Sequence, residues 1–233
     1  VATFWCVPGR YNRHPIGPGL LAVLVLAAAA LWAVFLFDAI GYAYARIGIG
    51  RDVLFGLVAA SLLGGMVNIP IARLRGRTTV EVGEIRVYGV RYRVPLVSRG
   101  QSTVLAVNLG GALIPTGVSL LLAARDDLWG QSAAGVAIVA AVAWRIARPV
   151  PGLGIALPGL VPPIVAAAAA LLIASPAPAA SAYISGSLGT LIGADLLHLR
   201  HVRELGAAMV SIGGAGTFDG VFMSGILAAL LVI

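Results

Sequence analysis

Two acidic residues lie inside apolar sequence in the last quarter of the chain. Asp195 sits in Gly-Thr-Leu-Ile-Gly-Ala-Asp-Leu-Leu-His, and Asp219 in Gly-Gly-Ala-Gly-Thr-Phe-Asp-Gly-Val-Phe. A carboxylate at the centre of a membrane span costs about 2.5–3.5 kcal/mol on insertion scales, so such groups face a polar interior and mark functional sites by default. Two carboxyl groups brought together cannot both ionise cheaply. One pKa rises while the other falls, and the pair supplies an acid and a base. Such a pair activates water for peptide hydrolysis, or binds protons or cations and couples them to transport. Held protonated or hydrogen-bonded, it simply ties helices together. An intramembrane aspartyl protease is the first reading and a proton- or cation-coupled transporter the alternative. A non-enzymatic structural membrane protein is the third.

Four kinds of neighbour join the pair. His198 follows Asp195 by three residues, within reach on a helix, where it would tune the carboxylate or relay protons. Its plainer reading is an interfacial histidine at a span end. Gly216 and Thr217 belong to the glycine run before Asp219, and Asn68 and Asn108 are carboxamides in apolar segments. His198, Gly216, Thr217, Asn68 and Asn108 are all candidate binding residues. Asn in a span serves equally well as packing glue.

Other chemistries lack their residues. One Cys (Cys6) and three His without His-Glu-x-x-His spacing make no zinc set and no internal disulfide. Gly213-Gly-Ala-Gly216 is followed by no Gly-Lys-Ser/Thr, and it falls within an apolar run rather than in a phosphate loop. Ser211 and Ser224 have no Lys to activate them, because all 16 basic residues are Arg. No metal and no cofactor is expected.

Composition decides the solvent. Hydrophobic residues make up 60% of the chain and charged ones 11%, with mean hydropathy +0.99, more apolar surface than a soluble domain of 233 residues can cover. The expected fold is an all-α polytopic membrane protein, a single helical domain over 1–233 with about seven transmembrane helices. The spans read as Leu20–Phe37, Val53–Ala72, Thr103–Ala124, Ala133–Ala147, Leu153–Ala174, Tyr183–Leu199 and Gly206–Ile233. Asp38 and Tyr42 follow the first run where a signal peptide would carry a small-residue cleavage site. Residues 73–102 are a polar insert with period-two alternation between Thr78 and Val94, which predicts a small β-ribbon. Pro158, Pro162 and Pro163 predict a kinked or broken fifth span beside the site. On the sixth, Gly186, Gly189, Thr190 and Gly193 share a small-residue face, and Asp195 falls opposite with Leu188, Leu191, Ile192 and His198.

Charge orients the bundle. With seven spans, 13 Arg residues fall on the side of the N-terminus and of the second, fourth and sixth connections, against Arg46, Arg51 and Arg125 on the other. By the positive-inside rule the N-terminus and the β-ribbon are cytoplasmic, and the expected location is a prokaryotic cytoplasmic (inner) membrane, crossed several times. The net charge of +7 suits anionic headgroups rather than nucleic acid. The expected partners are the lipid bilayer and a membrane-embedded peptide or small ion. In straight helices the two carboxylates differ in depth by about 9 Å, at 1.5 Å per residue. The glycine run before Asp219 must therefore bend or unwind the seventh span if the pair is to meet.

Several stretches carry a resemblance. Asn108-Leu-Gly-Gly-Ala-Leu-Ile-Pro, Gly-Ala-Asp195-Leu-Leu and Gly-Gly-Ala-Gly-Thr-Phe-Asp219-Gly, with Asn68-Ile-Pro and the β-like insert, resemble an uncharacterised prokaryotic membrane-protein family, domain-of-unknown-function family 1614. That resemblance covers nearly the whole chain and implies a membrane location. Two aspartates in neighbouring spans also resemble intramembrane aspartyl proteases of the presenilin and prepilin-peptidase kind, which carry Gly-x-Gly-Asp at one carboxylate. Here Ile192-Gly193-Ala194-Asp195 lacks the second glycine, two further residues separate Gly214-Ala-Gly216 from Asp219, and there is no clear Pro-Ala-Leu motif.

Overall fold

The computed structural model describes residues 18–75, 84–87, 90–93, 102–150, 154–204, 209–214 and 220–232. Its contacts divide the chain into two compact units, 1–39 and 40–233. Most of helix α1 (Pro18–Arg46) belongs to the first. At 29 residues it is long and apolar enough to cross a membrane. It buries none of its apolar window, so it is no core helix of a soluble domain.

The second unit holds α2 (Arg51–Gly64), α3 (Ile114–Arg125), α4 (Trp129–Ile146), α5 (Val161–Leu172), α6 (Pro178–Thr190) and α7 (Gly220–Leu231). With α1 they make seven α-helices among the described residues, of which α1 alone is long and apolar enough to cross a membrane. Helix α6 is the axis and packs against α3, α4, α5 and α7. Eleven of its 13 residues are buried, and all but Tyr183 and Ile184 of these are Ala, Ser, Gly or Thr. The bulky residues face outward instead: Leu121, Trp144, Ile164, Leu171 and Leu172 are exposed. A soluble bundle arranges these the other way round. Around α6, small residues lie inside and large apolar side chains of the neighbouring helices lie outside.

Close approach explains the glycines. A Cβ on Gly189 would lie 2.5 Å from Val139 Cβ of α4, and one on Gly193 2.8 Å from Ala143 Cβ. Gly186 instead meets α7, where a Cβ would lie 2.7 Å from the Ser224 carbonyl. The small-residue face predicted on α6 is thus a packing face, shared between two partners.

Several predicted spans are shorter than their apolar runs, because strands take one end of each. The second ends at Gly64, and Asn68–Arg75 is strand β1. The third begins with strand β4 (Ser102–Asn108), then a π turn over Leu109–Leu113 before α3. The seventh begins with strand β7 (Met209–Ile212). These strands form one sheet in the order β1-β4-β7. β1 and β4 are antiparallel, from Asn68↔Asn108 to Arg75↔Ser102; β4 and β7 are parallel, from Val104↔Met209 to Val107↔Ile212. Pro70 sits beside a bulge in an edge strand, where a missing N–H costs no ladder bond. Leu105, Ala112, Leu191, Ile212 and Val221 form the apolar cluster that seats the sheet on the helices.

The predicted ribbon is present in its described part. β2 (Glu84–Val87) and β3 (Val90–Arg93) pair antiparallel, while 76–83 and 94–101 lie outside the described residues. A second ribbon, β5 (Arg148–Val150) with β6 (Gly154–Ala156), precedes the fifth helix. Of the kink or break expected in the fifth span, the structure shows a break: strand β6 gives way to a helix that begins only at Val161. Pro162 and Pro163 occupy the first turn of α5, where the missing N–H has no helical acceptor to lose, and Pro158 precedes the helix.

Candidate functional site

Asp195 closes α6 through a change of helix type. The α-helix ends at Thr190, Leu191–Asp195 form a π turn, and Leu196–Glu204 continue as a 3-10 segment. The Leu196 N–H reaches back to Leu191 O, the wide i to i+5 closure of a π turn. Such turns recur at functional sites because they turn one side chain away from its α-helical direction. Asp195 itself is half-buried, and its Oδ2 accepts a hydrogen bond of 2.6 Å from the Gly213 N–H.

Gly213 is placed by the sheet. It follows β7 directly, and both it and Gly214 take positive φ, +81° and +79°. A side chain at Gly213 would be strained, and its Cβ would lie 2.6 Å from Ala112 in the first π turn. The backbone N–H thereby reaches Asp195, and the turn packs on residues that follow Asn108.

A carboxamide junction fixes β7 against its neighbours. Asn68 Oδ1 accepts from Ser211 Oγ at 2.6 Å and from Asn108 Nδ2 at 3.0 Å. Asn108 Nδ2 also donates to Gly65 O at 2.7 Å, and its Oδ1 caps the π turn by accepting from Gly111 N at 2.7 Å. Fully buried, Asn108 ties the end of α2, strands β1 and β4 and the first π turn into one joint. Ser211, two residues before Gly213, adds β7 to it.

The sequence candidates therefore separate. Asn68 and Asn108 meet each other, and through Ser211 and β7 they support the backbone that holds Asp195. They lie on strands and not inside helical spans. His198 is buried and directs its Nδ1 to Gly193 O at 3.1 Å, the contact of an Nδ1–H tautomer with a carbonyl. The His198 and His201 rings lie 5.9 Å apart. Pro162 and Pro163, expected beside the pair, are buried in α5, which packs against α4, α6 and α7. Gly216, Thr217 and Asp219 lie outside the described residues.

Ser211 and Gly213 are contributors that sequence reasoning passed over. A signal for them exists. Asn108-Leu-Gly-Gly-Ala and Ser211-Ile-Gly-Gly-Ala are alike, and each closes one of two adjacent parallel strands. The equivalent side chains, Asn108 and Ser211, donate to the same Asn68 oxygen.

No curated protein and no solved structure matches the chain. A family described as protein of unknown function (DUF1614) matches residues 62–231, a range that takes in Asn68, Asn108, Asp195 and Asp219. With most of its length matched, the chain belongs to that family.

Proposed function

We propose that this is a multi-pass protein of a prokaryotic cytoplasmic membrane and that Asp195 and Asp219 form an acid–base pair hydrolysing a membrane-embedded peptide. The observation that carries this reading is the hydrogen bond between Asp195 Oδ2 and the Gly213 N–H. Gly213 precedes Asp219 by six residues, so one carboxylate is seated at the root of the segment that carries the other. The depth mismatch of two straight helices does not arise, because a strand and a glycine turn stand between the 3-10 segment and α7. One carboxyl then serves as base toward water and the other as acid toward the leaving amine.

The ends of the helices support the topology. Arg125 NH1 and NH2 donate to Gly48 O at 2.9 Å and Ile47 O at 2.7 Å, tying the first and third connections together at one end. The strand β5 touches the 3-10 segment, joining the fourth and sixth connections. Alternation of this kind suits connections that emerge on two opposite faces, and the Arg bias assigns the even-numbered face to the cytoplasm. In protein whose Cys6 is replaced, Arg73→Cys should react with a membrane-impermeant thiol reagent only from the cytoplasmic face, and Asp127→Cys only from outside. The reverse pattern overturns the orientation.

A second reading, proton- or cation-coupled transport, is favoured by the π turn and 3-10 segment around Asp195, since broken helices with a carboxylate mark transporter sites. One experiment separates the two. Purified protein in nanodiscs is given a panel of transmembrane peptides, with Asp195→Asn and Asp219→Asn as controls. Hydrolysis abolished by either substitution in folded protein supports the pair. No cleavage by wild type, with Asp195-dependent ion flux in liposomes, assigns transport.

A further inference from the structure

The core of α6 carries a column of hydroxyls. Tyr183, Ser187 and Thr190 are each at most 2% exposed, and none has a hydrogen-bond partner outside this column among the described residues. Tyr44, on the last turns of α1, is equally buried, has no partner outside the group, and its ring lies 6.3 Å from that of Tyr183. In a dry helical core, Ser and Thr ordinarily bond the carbonyl one turn back, which satisfies them locally. Here they do not. Ser187 Oγ instead points at Gly225 of α7, occupying the space a Cβ there would take, and the Tyr183 ring borders the same notch.

The π turn brings Asp195 onto this column. Tyr183, Ser187 and Thr190 are spaced four and three apart and share one face of an α-helix. Continued as an α-helix, Asp195 would fall about 140° round from Thr190, at 100° per residue. A turn closed from i to i+5 advances each residue by roughly 80°, which returns residue i+5 to within about 40° of residue i. The Leu196 N–H is shared between Leu191 O and Ile192 O, so the closure is part π and part α, and it turns the backbone position of Asp195 back toward the Thr190 face.

We infer that the hydroxyls of Tyr44, Tyr183, Ser187 and Thr190 line a hydrated path through the helical unit that ends on the Asp195 carboxylate. Buried polar groups without protein partners are where internal water is held, each water taking two to four such groups. The ligand class is water and the protons it carries, and both hydrolysis and coupled transport need these at Asp195. The path stands or falls apart from either chemistry.

Thiol accessibility tests it. In protein with Cys6 replaced, Ser187→Cys and Thr190→Cys are near-isosteric, and Ala166→Cys and Ala170→Cys serve as controls in the apolar cluster with Val139, Ala182 and Val232. Silver ion, small enough for a narrow path, is added to folded protein, and blocked thiols are scored by maleimide after denaturation. The expected rate at 187 and 190 is at least tenfold above the controls; a smaller ratio overturns the path. Should the variants not fold, radiolytic hydroxyl-radical footprinting of wild-type protein decides. Tyr44 and Tyr183 should oxidise at no less than a tenth of the rate of Tyr42, which is 58% exposed. A lower rate overturns the inference.

Discussion

Truncating Asn108 should loosen the joint beneath the Asp195 segment. Its side chain is fully buried and makes the hydrogen bonds to Gly65 O, Asn68 Oδ1 and Gly111 N. Loss of a capping side chain costs about 0.5–2 kcal/mol. A buried group left without its partner adds about 1–3 kcal/mol, here for the Gly65 carbonyl. Asn108→Ala should therefore destabilise by about 2–5 kcal/mol. In a chain of this size each kcal/mol lowers Tm by about 2–4 °C, so the expected fall is roughly 4–20 °C. Thermal unfolding in one detergent or nanodisc preparation measures it. Asn108→Asp keeps the acceptor for Gly111 N but turns a second acceptor toward Gly65 O and Asn68 Oδ1, so it should be no milder. A fall below about 1 °C for both variants would refute the junction as a structural element, since even the smallest cap loss exceeds it.

Three further outcomes are expected. Gly213→Ala introduces a side chain at φ +81° against Ala112, so Tm should fall, and in an active preparation the turnover should fall with it. Unchanged stability and turnover would show that the turn does not hold Asp195. Gly193→Val drives a branched side chain into Ala140 and Ala143 of α4, and it should leave little monodisperse protein on size exclusion; normal yield and Tm would contradict the packing. At the other end, the Arg125 guanidinium beside Asp126 holds that carboxyl below its usual range. Its contribution is present above the ordinary Asp range and lost as pH falls through the depressed value. Both groups are near the surface, so Asp126→Ala, which leaves the Arg125 bonds to Ile47 O and Gly48 O in place, should change unfolding by at most about 1 kcal/mol at neutral pH. The difference from wild type should narrow in acid, and a gap that widens there would be inconsistent with the ion pair.

Helix number and the ribbon were legible in the sequence because each leaves a pattern. Long apolar runs give the helices, and alternation between Thr78 and Val94 gives β2 and β3. The three-stranded sheet was not legible. Val104-Leu-Ala-Val and Met209-Val-Ser-Ile run without a break into apolar helices, and hydropathy cannot divide a buried strand from the helix it feeds. The prolines marked the break in the fifth span but not its form: Gly154–Ala156 is strand, and Pro162 and Pro163 start the helix that follows. The repeated Asn108-Leu-Gly-Gly-Ala and Ser211-Ile-Gly-Gly-Ala segments did carry the joint between β4 and β7, and self-comparison of the chain exposes it.

The separation of the two carboxylate positions is the most direct test of the proposed pair. With Cys6 replaced, the double variant Asp195→Cys/Asp219→Cys is treated with bifunctional thiol reagents of graded length in folded protein. Carboxyl groups that share one water stand within about 5 Å of each other. Cross-linking in high yield by reagents of about that reach is the predicted result, with each single variant unlinked. Linkage only by reagents longer than about 10 Å, in protein that still unfolds cooperatively, would contradict it and leave Asp195 acting without Asp219.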